Sequence, residues 1–312
     1  MHRSAPLVHF DGPVMVFGGP YSNLEATRAV LAEAARLGIP GERIICTGDV
    51  VAYGADATAT VELVRNSARH VVMGNCEQSI ALSSADCGCG FPAGSTCERL
   101  SAVWFAHAME ELNADARAWM AGLPPRIDIE VGGRRLAVIH GGVDIINRFI
   151  FASTAWTIKA EEISKAGADG IIAGHCGLPF TQTINGRLWH NAGAVGMPAN
   201  DGTPRVWFSI LRAQPGGILI EHLALGYDLA SAAGKIRWAG LPEEYAASLE
   251  TGLWPSCDVL PGEEMHERGM ALGPGDVFWP RRPQSDEASR YNHSPECVQL
   301  WPQCEGASVR VS

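Results

Sequence analysis

Four short apolar runs in this chain end the same way. RIICTG is followed by Asp49, HVVMG by Asn75, RRLAVI by His140 and GIIAG by His175, each beside a glycine that admits close backbone approach. Runs of this length bounded by glycine read as buried strands. In open α/β sheets a ligand sits outside the carboxyl ends of the strands, so the pattern calls for a fold that delivers four polar side chains to one edge. A lone Asp or His at a strand end is ordinarily a cap or a satisfied polar group. Four of them at such ends point to a metal centre. One carboxylate, one amide oxygen and two imidazoles make a borderline nitrogen–oxygen donor set. It suits one divalent transition metal, Mn, Fe or Zn, with Cu as an alternative.

The remaining patterning predicts an α/β domain. VMVF at 14–17 reads as a strand. Residues 23–37 space Leu24, Val30, Leu31, Ala34 and Ala35 as a helix stopped by Gly38, and a second helix is expected near 57–66. This alternation predicts a parallel sheet with crossover helices. The second half reads as hairpins: IDIEV with RRLAVI across Gly132-Gly133, FTQTI with RLWHN across Asn185-Gly186, and RVWFSIL with GILIEHL across Pro215-Gly216-Gly217. Two helices are expected near 228–239 and 243–251. Residues 84–97, SADCGCGFPAGSTC, read as a cysteine-rich insert on the surface or over a site. From Leu260 the chain is rich in Pro, Gly and Trp without a period. The expected division is a main domain over 1–259 and an irregular extension over 260–312.

Composition excludes some functions. At 312 residues, 46% hydrophobic and 19% charged, the chain is globular, and a net charge of −10 argues against nucleic acid or an anionic membrane as partner. A small-molecule substrate remains, with homo-oligomerisation open. No run reaches the roughly 18–20 apolar residues of a membrane span. The first thirteen residues hold no apolar stretch of signal-peptide length, so a cytoplasmic location is expected. Nine cysteines, an odd number, argue against a disulfide framework and for metal or thiol chemistry, with small buried hydrophobes as the bland alternative.

Several of these segments resemble the blocks of calcineurin-like metallophosphoesterases. Gly48-Asp49 with VAYG beyond it resembles the family's GD block. Gly74-Asn75-Cys76-Glu77 resembles GNH followed by an acid, and Ile139-His140-Gly141-Gly142 resembles the HG block. Gly174-His175-Cys176-Gly177-Leu178-Pro179-Phe180 resembles GHTH-x-PF. The stretch NGRLWHNAGAVGMPANDGTPRVWFSIL is similar to the family's glycine-rich NPGSVG region. The likeness covers about 14–225 in order. It implies a four-layer sandwich of two β-sheets flanked by helices, and a metal-dependent hydrolase.

The departures from that pattern are grouped. The first block of the family reads D-x-H-G-N-L-E-A, whereas this chain has Gly19 for the Asp and Tyr21 for the His, and Gly177 replaces the second His of GHTH. The resemblance implies that the family's residues at these three positions hold one metal, which this chain has lost, and that Asp49, Asn75, His140 and His175 hold the other. One metal site is then expected. Cys76 stands where the family has a catalytic His, and Cys176 follows His175, so both thiols are candidate catalytic groups. Arg148 is a candidate for binding an anionic substrate group, or else forms a surface ion pair. Tyr21 and Asn23 either fill the vacated volume or touch substrate. The expected activity is hydrolysis of a small phosphorylated or anionic substrate with one metal. The alternatives are redox or sulfur chemistry at a mononuclear Fe or Cu centre, or a binding protein without catalysis.

Overall fold

Strand β1 (Val8–Phe10) opens the chain, and β2 (Val14–Phe17), α1 (Leu24–Arg36), β3 (Ile44–Cys46), α2 (Ala57–Ser67) and β4 (His70–Val71) follow. Three helices come next: α3 (Asn75–Ala81), α4 (Thr96–Glu111) and α5 (Ala114–Ala121). Then come β5 (Arg126–Val131), β6 (Arg134–Ile139), α6 (Trp156–Ala166), β7 (Gly170–Ala173), β8 (Pro179–Ile184) and β9 (Arg187–Ala192). The last elements are β10 (Val206–Gln214), β11 (Gly217–Leu225), α7 (Leu229–Trp238), α8 (Glu243–Thr251), α9 (Gly262–His266) and β12 (Gly275–Pro280). The computed structural model describes residues 6–281. The sequence reading of the first thirteen residues falls partly outside that span, and so does most of the extension expected over 260–312.

Two sheets pack face to face. One has the order β1-β5-β6-β7-β9-β8 and the other β12-β11-β10-β2-β3-β4. Strand periodicity assigns the faces. Along β2, Val14 and Val16 enter the core between the sheets, with Ile45, Leu136, Val138, Ile172 and Leu211. Met15 and Phe17 point the other way, into the core under the helices, with Val30, Ala34, Val61 and Trp104. Helix α6 covers the outer face of the other sheet through Ile163 and Ala166. The expected sandwich of two sheets flanked by helices is therefore what forms.

Both sheets are mixed rather than parallel. Strands β2, β3 and β4 run parallel, as the strand–helix alternation predicts, but β10 joins β2 antiparallel. The three hairpins form as read. At the β8–β9 turn Asn185 and Gly186 both have positive φ, +52° and +72°, which suits the twist of a two-residue hairpin. Two strands were not legible. The three residues of β1 are too short for a periodic signal. Strand β12 lies in the segment expected to be irregular: Gly275–Pro280 pairs with β11 as an edge strand. Trp279 is fully buried between the sheets, with the Arg134 guanidinium 3.8 Å from its ring centroid. Among the described residues no helix is long and apolar enough to cross a membrane.

A buried polar cluster ties the sheets together. Thr181 Oγ1 lies 2.8 Å from His190 Nδ1 and 2.7 Å from His222 Nε2, and His190 Nε2 lies 2.7 Å from Ser209 Oγ. Burial holds both imidazoles neutral. It pushes His222 down to about 4 and, with His222 as neighbour, His190 well below the ordinary value. The unfolded chain protonates these groups near their ordinary pKa of 6.5, so it binds more protons than the folded chain below that pH. Their contribution to stability should be complete above about 6.5 and be lost as the pH falls toward 4, by about 3 kcal/mol for His222 alone. Thermal melts across this range should show the decline, and His222→Gln should flatten it. The same pH dependence of the melting temperature in His222→Gln and in the parent would contradict the assignment.

Candidate metal centre

The four residues singled out from strand ends meet at one point. Asp49 lies beyond β3 and Asn75 opens α3 after β4, both from one sheet. His140 follows β6 and His175 lies just beyond β7, both from the other. The two sheets thus contribute a pair each, and all four side chains are buried. The backbone fixes their spacing: the amides of Gly174 and His175 both donate to the His140 carbonyl, at 2.7 and 2.9 Å.

The arrangement of donor atoms could hold a cation. His140 Nδ1 lies 2.7 Å from the Thr47 carbonyl and can only donate to it. Its Nε2 faces Asn75 Oδ1 at 3.0 Å, His175 Nδ1 at 3.1 Å and Asp49 Oδ2 at 3.2 Å. A single proton on Nε2 can serve one of these acceptors. A metal ion among them serves all four lone pairs. Asp49, His140 and His175 each offer a ligand atom within 4.8 Å of the others, and the Asn75 amide oxygen completes the set. His175 Nε2 is left buried without a hydrogen-bond partner, on a residue that lines the adjoining cavity. Burial, with His140 as neighbour, pushes His175 down to about 3, which keeps it a neutral ligand. Burial also opposes charge on His140, but the Asp49 carboxylate outweighs it and raises the imidazole.

Glu77 has a role that the sequence reading did not assign. Asp49 sits at φ +54°, a strained conformation for a side chain other than glycine. The fully buried Glu77 carboxylate accepts from the amides of Asp49 and Val50 at 2.8 Å, Gly74 at 2.9 Å and Val51 at 3.3 Å. It clamps the turns after β3 and β4 to each other. Burial and the Asp49 carboxylate push it up to about 7. Its signal was the acid after Gly74-Asn75-Cys76. Phe149 was missed as well: its ring packs 4.2 Å from His175.

Tyr21 occupies the flank of the site. Its ring covers Gly19 so closely that any Cβ on residue 19 would fall within van der Waals contact of the ring. A Cβ on Gly177 would lie 3.4 Å from its hydroxyl, and Gly177 has a φ of +69°. Burial raises the Tyr21 phenol well above its ordinary value. Beside it opens a cavity of about 80 Å³, walled by Tyr53, Phe91, Phe149 and Trp254 with Asp49 and His175 at its polar end.

The other expected site residues divide. Cys176 and Cys89 line the cavity. Cys176 accepts from Asn191 Nδ2 at 3.1 Å, and burial pushes its thiol up to about 12. Cys76 lies outside the cluster of ligand atoms. Its amide donates to Asp49 Oδ1 at 3.2 Å, while its buried thiol is raised well above the ordinary range. Arg148 does not line the cavity, because Glu162 holds its guanidinium in an ion pair at 2.8 Å. Asn23 caps α1, spends its amide hydrogens on Gly196 and Tyr227, and does not line the cavity. The 84–97 segment does fold toward the site: Cys87 and Cys89 are buried beside Asn75, whereas Cys97 is half-exposed at the start of α4.

This is the architecture of a metallophosphoesterase domain. Residues 9–213 match the family model described as a calcineurin-like phosphoesterase superfamily domain, and the chain belongs to that family. An uncharacterized protein of Methanocaldococcus jannaschii, MJ0912, is 27% identical over 247 residues, 74% of this chain and 94% of that one. Among solved structures, a metallophosphoesterase from Sphaerobacter thermophilus is 24% identical, with a TM-score of 0.61 over 80% of this chain and all of that one. A hypothetical protein from Pyrococcus horikoshii, PH1004, is 16% identical, with a TM-score of 0.63 over 78% of this chain and 99% of that one. These two show the same fold.

Removing the Glu77 clamp should be costly. Glu77→Ala leaves four buried amides without their acceptor, and each buried unsatisfied donor costs about 1–3 kcal/mol. The variant should lose at least about 3 kcal/mol in denaturant melts, or fail to fold. A stability within 1 kcal/mol of the parent would show that water replaces the carboxylate.

Proposed function

We propose that the chain is a metal-dependent hydrolase that holds one divalent transition metal at Asp49, Asn75, His140 and His175. The observation that carries this reading is the meeting of four ligand atoms, His140 Nε2 with Asn75 Oδ1, His175 Nδ1 and Asp49 Oδ2 within 3.2 Å of it, where at most one contact can be a hydrogen bond. Such an ion supplies positive charge that polarises a substrate oxygen and acidifies water. The chain does the rest. Thr47 holds the His140 tautomer, Glu77 holds the Asp49 turn, and the Tyr21 ring closes the flank where the family pattern has its other metal ligands.

The substrate is read as a small molecule with one anionic or phosphoryl head and an apolar body. The cavity walls are aromatic, and no lysine or arginine is among the described residues that line it. Charge on the head is therefore balanced by the ion alone, which disfavours polyphosphates. The aromatic walls exclude water and strengthen electrostatic interactions inside. Proton delivery to a leaving group lacks the imidazole of the family pattern, because Cys76 stands there with a thiol that burial keeps neutral.

A second reading, redox or sulfur chemistry at Fe or Cu, draws on the Cys89 and Cys176 thiols in the same cavity. Metal analysis after chelator-free purification separates the two: Mn or Zn supports hydrolysis, and Fe or Cu supports the second. Elemental analysis should find one equivalent per chain. His140→Ala and His175→Ala should each lose most of it, whereas Tyr21→Ala should keep it. Two equivalents that survive dialysis would sink the single-metal reading.

Turnover of an aryl phosphate should be slow. General acid–base catalysis contributes about 10²–10⁴-fold, and the residue expected to supply it is a thiol. Rates typical of two-metal phosphatases would contradict the assignment.

A further inference from the structure

The loop between α3 and α4 carries Cys87-Gly88-Cys89, which the metal reading leaves unused. Gly88 sits at φ +65°, and a Cβ there would lie 2.6 Å from Ser79 Oγ, so only glycine lets this turn dock on α3. Asn147, from the loop after β6, donates to the Gly88 carbonyl at 2.9 Å and pins the turn from the other sheet. The Cys87 and Cys89 sulfurs are left adjacent, 2.6 Å apart. Asn75 connects this pair to the metal centre. Its Nδ2 donates to the Cys87 carbonyl at 3.0 Å and lies 3.3 Å from Cys89 Sγ, while its Oδ1 faces His140.

We propose that Cys87 and Cys89 form a dithiol–disulfide couple whose oxidation shifts Asn75 and weakens the metal centre. The oxidant is a small disulfide of the glutathione class. Cys89 reaches the cavity, so its sulfur attacks first, forming a mixed disulfide and releasing one glutathione thiol. Cys87 Sγ then displaces the second glutathione and closes the protein bond. Two electrons pass from the protein thiols to the glutathione disulfide, and the two thiol protons end on the two glutathione thiols. The ring closed by this bond contains the Cys87 peptide carbonyl, which is the acceptor that orients Asn75. Ring closure constrains that carbonyl and converts the Cys89 thiol into a disulfide sulfur, so both partners of Nδ2 change together. Groups that orient metal ligands are typically worth 10–100-fold in affinity. Coupling is reciprocal. A tenfold weakening on oxidation means that bound metal makes the pair harder to oxidise, shifting its potential by about 30 mV.

The coupling to metal rests on the single-metal reading, whereas the couple itself does not. The test equilibrates the full chain with graded reduced and oxidised glutathione, for hours because both thiols are buried. It traps the products by alkylation and reads intact mass and the linked peptide. Expected are loss of two hydrogens, a Cys87–Cys89 link, and Zn²⁺ binding about tenfold weaker in the oxidised chain by competition with a chelating dye. Cys87→Ser keeps the backbone carbonyl, so under reducing conditions it should retain the parent's affinity, and on oxidation it should stop at a Cys89–glutathione mixed disulfide without closing a protein bond. A missing link, a Cys76–Cys89 link, or equal Zn²⁺ affinity in both states would overturn the proposal. Weakened Zn²⁺ binding in Cys87→Ser would place the ion on the thiol instead of on Asn75, with the same result. If the reduced chain bound no Zn²⁺, the metal reading and the coupling would both fall, and mass alone would decide the couple.

Discussion

Four acceptors aimed at one point make an arrangement that a folded chain cannot leave to chance. Asp49 Oδ2, Asn75 Oδ1 and His175 Nδ1 all crowd His140 Nε2 within 3.2 Å. Without a cation, at most one of these contacts is a hydrogen bond, and buried acceptors left unpaired are costly. Much of the surrounding structure holds them there. Glu77 gathers the amides of two separate turns, Thr47 fixes one imidazole tautomer, and paired amides bind the His140 carbonyl. A cation at this point would bind the folded state and not the unfolded one. Occupancy then adds to stability by mass action, so the fold and the site are linked energetically as well as spatially.

The fold was legible where a periodic signal coincided with a turn signal. The four strand ends, the three hairpins and helix α1 with its Gly38 stop had both. Strand β1 is too short for a period. Strand β12 was hidden for another reason: only Trp279 is buried along it, and an edge strand with one anchor has no alternating pattern to read. The site was legible in part because ligands at strand ends are tied to topology. Arg148 was less so, since nothing in its local sequence indicates that Glu162, on α6, lies close enough to neutralise it. Glu77 could not be assigned from pattern alone either. Its role depends on two chain reversals meeting in space, which sequence spacing does not encode.

The cavity beside the ligands gives the centre its chemical character. Aromatic walls lower the local dielectric, so any charge at the polar end is felt more strongly. The same walls push the titration of Tyr21 and Cys176 away from neutrality by burial. What remains available is a set of neutral donors and thiols, with Asp49 as the carboxylate. A site of this kind favours ligands that bring their own charge to the ion and present little of it elsewhere.

Gly19, Tyr21 and Gly177 are best understood as one structural event. The Tyr21 ring lies where a side chain on residue 19 would have to project, and its hydroxyl lies 3.4 Å from where the Cβ of residue 177 would be. The ring constrains residue 19 most directly, and the hydroxyl limits what can extend from residue 177. A side chain at 19 requires the ring to leave, and a long side chain at 177 requires the hydroxyl to leave and must also tolerate a φ of +69°. Residues in direct contact couple their substitution energies, so restoring one residue of the family pattern alone would be expected to strain the site without rebuilding a ligand set. Tyr21 itself is held at φ +51°, with its amide donating to the Asp49 carbonyl at 3.2 Å. Strain of this kind persists only where neighbours over-determine it. Here the neighbour is the Asp49 turn itself, so the aromatic ring on one flank is held by the same backbone that positions Asp49 beside Asn75, His140 and His175.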